Sequence, residues 1–248
     1  MLSAATSETL AVCVLAVLAA ALLGRVVWML RQSPFSPAQS VLYAINYILV
    51  RCLWRTRVVG RLMVPPNRGA VIVCNHRCPL DPGFIALLVP RVIHWMVARE
   101  YCEYPPFRRI LDLCGAIPVS RGTVDLSATK AAVGILRQGG LVGVLPEARI
   151  NATHEFLLPG QLGAAWLALR ARVPIVPCYL EGAPYDGTTL GCLLTPAAVT
   201  LRIGQPIEVT QYLDRPAHRE VLEELTRRLL RAIAELAGRP DYQPQVDA

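Results

Sequence analysis

The sequence predicts an α/β protein: a mostly parallel or mixed central sheet flanked by helices, with an N-terminal membrane-anchoring helix and an amphipathic helical segment ahead of it. Three observations predict it. Beyond Pro65-Pro66, short unbroken apolar runs alternate with stretches of helical character, the pattern of strands covered on both faces. The run from Leu10 to Gly24 carries no charge. Between Ser36 and Arg61, apolar residues recur at helical spacing and arginines gather at the end.

The elements follow in chain order. Fifteen helical residues from Leu10 reach only about 22 Å, short of the roughly 30 Å of hydrocarbon in a bilayer. Val26-Val27-Trp28-Met29-Leu30 extends the run, with Arg25 snorkelling and Trp28 in the headgroup belt. Glu8 and the lack of Lys or Arg before Leu10 make a cleaved signal peptide the weaker alternative. Arg25, Arg31, Arg51, Arg55, Arg57 and Arg61 all follow the run, so the positive-inside rule puts the rest of the chain in the cytoplasm. Residues 1–35 are thus read as a transmembrane or interfacial anchor. Residues 36–66 are read as a basic amphipathic helix, either lying in the interface or packing on the domain.

Strands are expected over 70–74, 92–98, 116–119, 141–145, 175–179 and 199–203, and helices over 82–89, 106–113, 126–138, 161–170 and 217–236. These make one domain over 67–240, and 241–248 is read as a loose polar tail. A chain of 248 residues that is 54% hydrophobic, with mean hydropathy +0.41, is greasy for a soluble domain. Its formal charge of +7 therefore points to an anionic membrane surface, with no nucleic acid as partner. Eight scattered cysteines without a C-x-x-C pair read as buried reduced thiols. No metal-ligand spacing or glycine-rich nucleotide loop appears, and no cofactor is expected.

The most informative stretch is Asn75-His76-Arg77-Cys78-Pro79-Leu80-Asp81. It leaves a strand and enters a helix, with Asp81 as expected N-cap and Pro82 at the first helical position. In an open sheet, chemistry gathers at the carboxyl ends of strands. His76 follows the first of these strands, Arg121 the third and Glu147 the fourth. A histidine whose second ring nitrogen is held by Asp81 is equipped to take a proton from a hydroxyl. The bland alternative is that Asp81 only caps a helix and His76 is an ordinary loop residue. Cys78 is a lesser candidate as a covalent nucleophile.

Four blocks in order make the chain resemble the 1-acylglycerol-3-phosphate (lysophosphatidic acid) acyltransferases, over roughly 120 residues. They are Asn75 to Asp81, Gly115 to Arg121, Leu145-Pro146-Glu147-Ala148-Arg149, and Val173-Pro174-Ile175-Val176-Pro177. The resemblance implies His76 and Asp81 as catalytic residues, and Arg121, Glu147 and Arg149 as acceptor-binding ones. It implies acyl transfer from acyl-CoA or acyl-carrier protein to a lysophospholipid at a membrane. Glu147 either binds a hydroxyl or holds an arginine. The third block departs from the family's F-P-E-G-T-R: Ala148 stands where glycine is usual, and Arg149 meets the family's arginine only across a one-residue gap. That departure opens an alternative acceptor, another lysolipid or an acylated amino-acid lipid. A non-catalytic lipid-binding protein on the same fold is the reading from a different class.

Overall fold

Ala70–Cys74 is buried at all five positions, and the sheet is built outward from it. The computed structural model describes residues 35–88, 91–122, 125–185, 187–188, 191–213 and 218–247, together with Cys13, Val14, Val17 and Gly24. The chain forms two units, residues 1–43 and 44–248, and the second holds the sheet. The strands are β1 (Arg57–Val59), β2 (Ala70–Cys74), β3 (Ile93–Ala98), β4 (Ile117–Val119), β5 (Leu141–Val144), β6 (Ile175–Glu181) and β7 (Thr200–Ile203). The helices are α1 (Pro37–Ile48), α2 (Asp81–Ile85), α3 (Arg99–Glu103), α4 (Pro105–Leu113), α5 (Leu126–Arg137), α6 (Gly163–Ala171) and α7 (Arg219–Leu236).

The sheet order is β1-β7-β6-β2-β5-β3-β4. Strands β2 to β6 run parallel, while β7 is antiparallel to β6 and β1 parallel to β7. The sheet is therefore mixed. One face is covered by α5, α6 and α7, whose Leu136, Leu167, Leu225 and Leu229 join Val71 and Val73 of β2 in one core. Helix α7 buries Leu222, Leu225, Leu229 and Ile233, an i, i+3, i+4 stripe of the kind a helix turns to a core. The other face packs Ala70, Ile72 and Cys74 against Trp54, Phe84 and Ile85. Trp95 of β3 lies flat across β5 at Gly143, where an added Cβ would come within 2.4 Å of the indole ring. A glycine is required there by close approach.

Three expectations are corrected. The segment 36–66 does not stay helical: after α1 and a π-turn over Leu49–Leu53 it becomes β1. Its C-terminal half belongs to the domain. Val50 is fully buried, and Trp54 packs on Phe84 at 5.0 Å between ring centroids and donates Nε1–H to Thr195 O. Its N-terminal half keeps Val41, Ile45 and Ile48 exposed. The tail is not loose either. Val246 bridges Gly160, and Tyr242 stacks edge-on against Phe156 at 5.1 Å while donating to Leu157 O. Finally, Cys13 and Cys52 are exposed, although all eight cysteines are free thiols. The apolar run from Leu10 lies almost wholly outside the described residues. Among the described residues, no helix is long and apolar enough to cross a membrane.

Candidate active site

Strand β2 delivers residues 75–81 to the carboxyl edge of the sheet, and each residue there is held by a separate contact. Asn75 is buried and pairs with Leu180 as a strand residue would: Nδ2 donates to Leu180 O (2.9 Å) and Oδ1 accepts from Leu180 N (2.8 Å). The loop is thereby tied to the end of β6. Asp81 is the first helical residue of α2 and makes no side-chain cap bond, contrary to the capping expectation. Its carboxylate folds back over the loop instead. Oδ2 accepts from Arg77 N (2.7 Å) and Cys78 N (3.0 Å) and meets His76 Nδ1 at 2.9 Å. Oδ1 is buried without a partner, so the group faces its whole hydrogen-bonding capacity toward the loop through one oxygen.

A carboxylate is acceptor-only, so the proton between the pair sits on Nδ1 and leaves a lone pair on Nε2. Nε2 makes no hydrogen bond among the described residues, and the His76 side chain is 15% exposed against 0% for Asp81. A buried carboxylate thus orients a reachable base. The bland capping reading of Asp81 is overturned by this geometry.

Glu147, at the carboxyl end of the neighbouring strand β5, is placed differently from its assignment to the acceptor. It is buried, and main-chain N–H groups take both oxygens: His76 N to Oε1 (2.7 Å) and Leu158 N to Oε2 (2.8 Å). Burial pushes its carboxyl above the usual value, against the opposing pull of those two bonds. No arginine side chain pairs with it among the described residues; Glu147 buttresses the His76 main chain. Asn151 N donates to His76 O (2.8 Å), so both main-chain polar groups of His76 are pinned. The Asn151 side chain is buried and accepts from Thr153 N and Oγ1, closing an internal turn.

The two arginines stand apart from this cluster. Arg121 follows the edge strand β4, is 57% exposed and pairs with Glu100 at 3.0 Å. Two strands separate β4 from β2 in the sheet order, about 14 Å at the usual strand spacing. Asp125 fixes the turn beside it by accepting from Ser120 N (3.1 Å). Arg149 is exposed beyond β5, adjacent to β2, and has no ion-pair partner among the described residues. Ala148, between Glu147 and Arg149, sits at φ 55°, a left-handed conformation that favours glycine. The backbone of a glycine position is kept although the glycine is gone. Cys78 is fully buried, and burial pushes its thiol well above the usual range, which removes it as a nucleophile.

Sequence reasoning passed over Asn75, Arg77 and Asn151 as functional groups. Asn75 lay inside the block already singled out. The contacts that tie Arg77 and Asn151 to the site carried no local signal, because they join residues more than 70 apart in the chain. An open cavity of about 360 Å³ adjoins the loop, walled by Asn75, Arg77, Asn151, Phe156, Tyr179 and Glu181.

A base oriented by a buried carboxylate, at the carboxyl edge of an α/β sheet, is a site for activating a hydroxyl. The chain belongs to the Acyltransferase family, whose model matches residues 55–181, just over half of its length, and it is an acyltransferase. The match spans the four blocks up to Pro177, and so the family drawn from them. A 1-acyl-sn-glycerol-3-phosphate acyltransferase of Bacillus subtilis is 27% identical over 186 residues, covering 75% of this chain and 89% of that protein. The enzyme of the same name from Cocos nucifera is 26% identical, covering 59% of this chain and 48% of its own. The human beta form is 29% identical, over 56% and 51%, so the chain spans about half of these two longer relatives. The crystal structure of the 1-acyl-sn-glycerophosphate (LPA) acyltransferase PlsC from Thermotoga maritima superposes with a TM-score of 0.61 at 20% identity, covering 81% of this chain and 80% of that one. That likeness carries the fold.

Proposed function

We propose that this protein is a membrane-associated O-acyltransferase of lipid metabolism. It moves a fatty acyl group from a thioester, acyl-CoA or acyl-carrier protein, to the free hydroxyl of lysophosphatidate and yields phosphatidate. The observation that carries the reading is the His76–Asp81 pair at 2.9 Å, with Nε2 free to meet a hydroxyl. His76 Nε2 takes the acceptor's proton as the oxygen attacks the thioester carbonyl, and Asp81 stabilises the imidazolium that forms. Collapse of the tetrahedral intermediate breaks the C–S bond, and the departing thiolate takes the proton back from His76. No enzyme nucleophile is needed, which suits the buried Cys78. Arg121 and Arg149 are the cations proposed to meet the acceptor's phosphate. The catalytic domain works on the cytoplasmic side, as the arginines after the apolar N-terminal run indicate.

The altered third block supports a second acceptor reading, another lysolipid or an acylated amino-acid lipid. Ala148 stands at the glycine position with φ 55°, and without a gap in that block Arg149 takes the register of the family's threonine. Purified enzyme with acyl-CoA or acyl-carrier protein and a panel of lysolipids tests both. Turnover of lysophosphatidate above every lysolipid lacking a terminal phosphate is expected. Indifference to lysophosphatidate, with turnover of a phosphate-free lysolipid, would replace the first acceptor with the second.

A further inference from the structure

Arg77 follows His76 directly, yet its side chain reaches into the loop of residues 151–156. Nη1 donates to Asn151 O (3.0 Å) and Thr153 O (2.9 Å), and Nη2 to Glu155 O (2.5 Å) and Phe156 O (3.1 Å). Four main-chain carbonyls converge on one guanidinium, and no carboxylate pairs with it among the described residues. Lysine has three donors on a single nitrogen and cannot span such a planar set. These carbonyls lie in irregular chain with no strand partner, so the guanidinium supplies bonds that a sheet would otherwise provide.

The clamped loop returns to His76 by two routes. Asn151 N donates to His76 O at 2.8 Å. Leu158 N donates to Glu147, whose other oxygen holds His76 N at 2.7 Å. The far end of the loop is held independently by the C-terminal tail, through Tyr242 on Leu157 O and Val246 on Gly160. Arg77 therefore governs the near end, the part that touches His76. We propose that Arg77 is a positioning residue for acyl transfer: it sets the 151–156 loop, which fixes the His76 main chain and thereby the place where the imidazole meets the acceptor hydroxyl. This rests on His76 acting as the base. A loop error near 1 Å can cost on the order of a hundredfold in rate, so the clamp acts chiefly on kcat.

The test measures kcat, KM and thermal unfolding for Arg77→Ala and Arg77→Lys, alone and combined with Asp81→Asn. Arg77→Ala should lower kcat on the order of tenfold to a hundredfold with KM little changed, and Arg77→Lys should recover only part of it. If Arg77 acts through the imidazole, its loss should cost much less in the Asp81→Asn background, where the orientation is already impaired. Equal losses in both backgrounds, or a loss explained by the fraction unfolded, would overturn the proposal. Should Arg77→Ala fail to fold, Arg77→Lys carries the same comparison. Full activity in Arg77→Ala beside an inactive His76→Ala would sink this inference and leave the base intact. An active His76→Ala would sink the base itself.

Discussion

At the scale of single residues, the proposed chemistry reduces to one proton path and two candidate phosphate contacts. His76→Ala removes the base and should abolish turnover while leaving the fold intact, because the side chain is only partly buried and is not part of either core. Asp81→Asn should be milder, since an amide oxygen can still accept from Arg77 N and Cys78 N while the imidazolium loses its counter-charge. Steady-state assays of both variants check the order, and near-normal turnover in His76→Ala would refute the assignment. For the acceptor, loss of a charge-assisted phosphate contact costs on the order of 1.5–3 kcal/mol, or roughly ten- to hundredfold in kcat/KM. Arg121 is the family's candidate but sits two strands farther out and already pairs with Glu100. Arg149 is nearer in the sheet and has no ion-pair partner among the described residues. Arg121→Ala and Arg149→Ala should therefore both raise KM for lysophosphatidate, with kcat little changed. A silent Arg149→Ala would leave Arg121 as the main anionic contact and favour a different head group.

At the scale of elements, the proposed active site is a loop held from four sides: β6 through Asn75, α2 through Asp81, β5 through Glu147, and the 151–156 loop through Arg77 and Asn151. Glu147 gives this scaffold a pH signature. Its folded carboxyl binds a proton more tightly than the unfolded one, with the usual value at 4.5. Its linkage stability is therefore complete below about that pH and is lost as pH rises through the higher folded value. Glu147→Gln removes the titration but offers one acceptor where two N–H groups need one, leaving a buried donor unmatched at about 1–3 kcal/mol. Denaturant unfolding from pH 4 to 7 should show the variant less stable throughout, with the gap narrowing as pH rises. A gap that widens with pH would mean the native carboxylate is stabilised by its bonds more than burial opposes it. The sequence pattern revealed β2 to β7 because short apolar runs between helical stretches do not depend on distant partners. It missed β1 because three residues, Arg57-Val58-Val59, carry no period, and their ladder lies with β7 over 140 residues on. It placed Asp81 as a cap because Asp-Pro at a helix start has the same local form whether the carboxylate faces the helix or the loop. It could not place Glu147, since only tertiary contact decides whether a buried carboxylate meets substrate or backbone.

At the scale of the whole molecule, the question is how a lipid acceptor reaches a site at one edge of a sheet. The parallel strands β2 to β6 put His76, Arg121 and Arg149 at the same end, so a membrane facing that end would present acceptor hydroxyl and phosphate together. Exposed Val41, Ile45 and Ile48 on α1, with Arg51 just beyond, form a stripe able to adsorb to an anionic surface by apolar burial and charge. Removing residues 1–31 should then leave the unit over 44–248 folded, because its sheet, both cores and the His76 loop lie within it. Attachment should become weaker and more easily released by salt, since the adsorption that remains draws on charges screened within about 10 Å at 0.1 M salt. Flotation with vesicles containing phosphatidylglycerol, across a salt series, measures this. The expected result is a truncated protein with native thermal unfolding that binds at low salt and leaves the vesicles at high salt, while the full chain stays bound. A full chain recovered as freely soluble protein, or cleaved after the apolar run, would rule out an uncleaved anchor. Salt release of the full chain and the truncated one at the same concentration would mean that residues 1–31 add nothing to attachment.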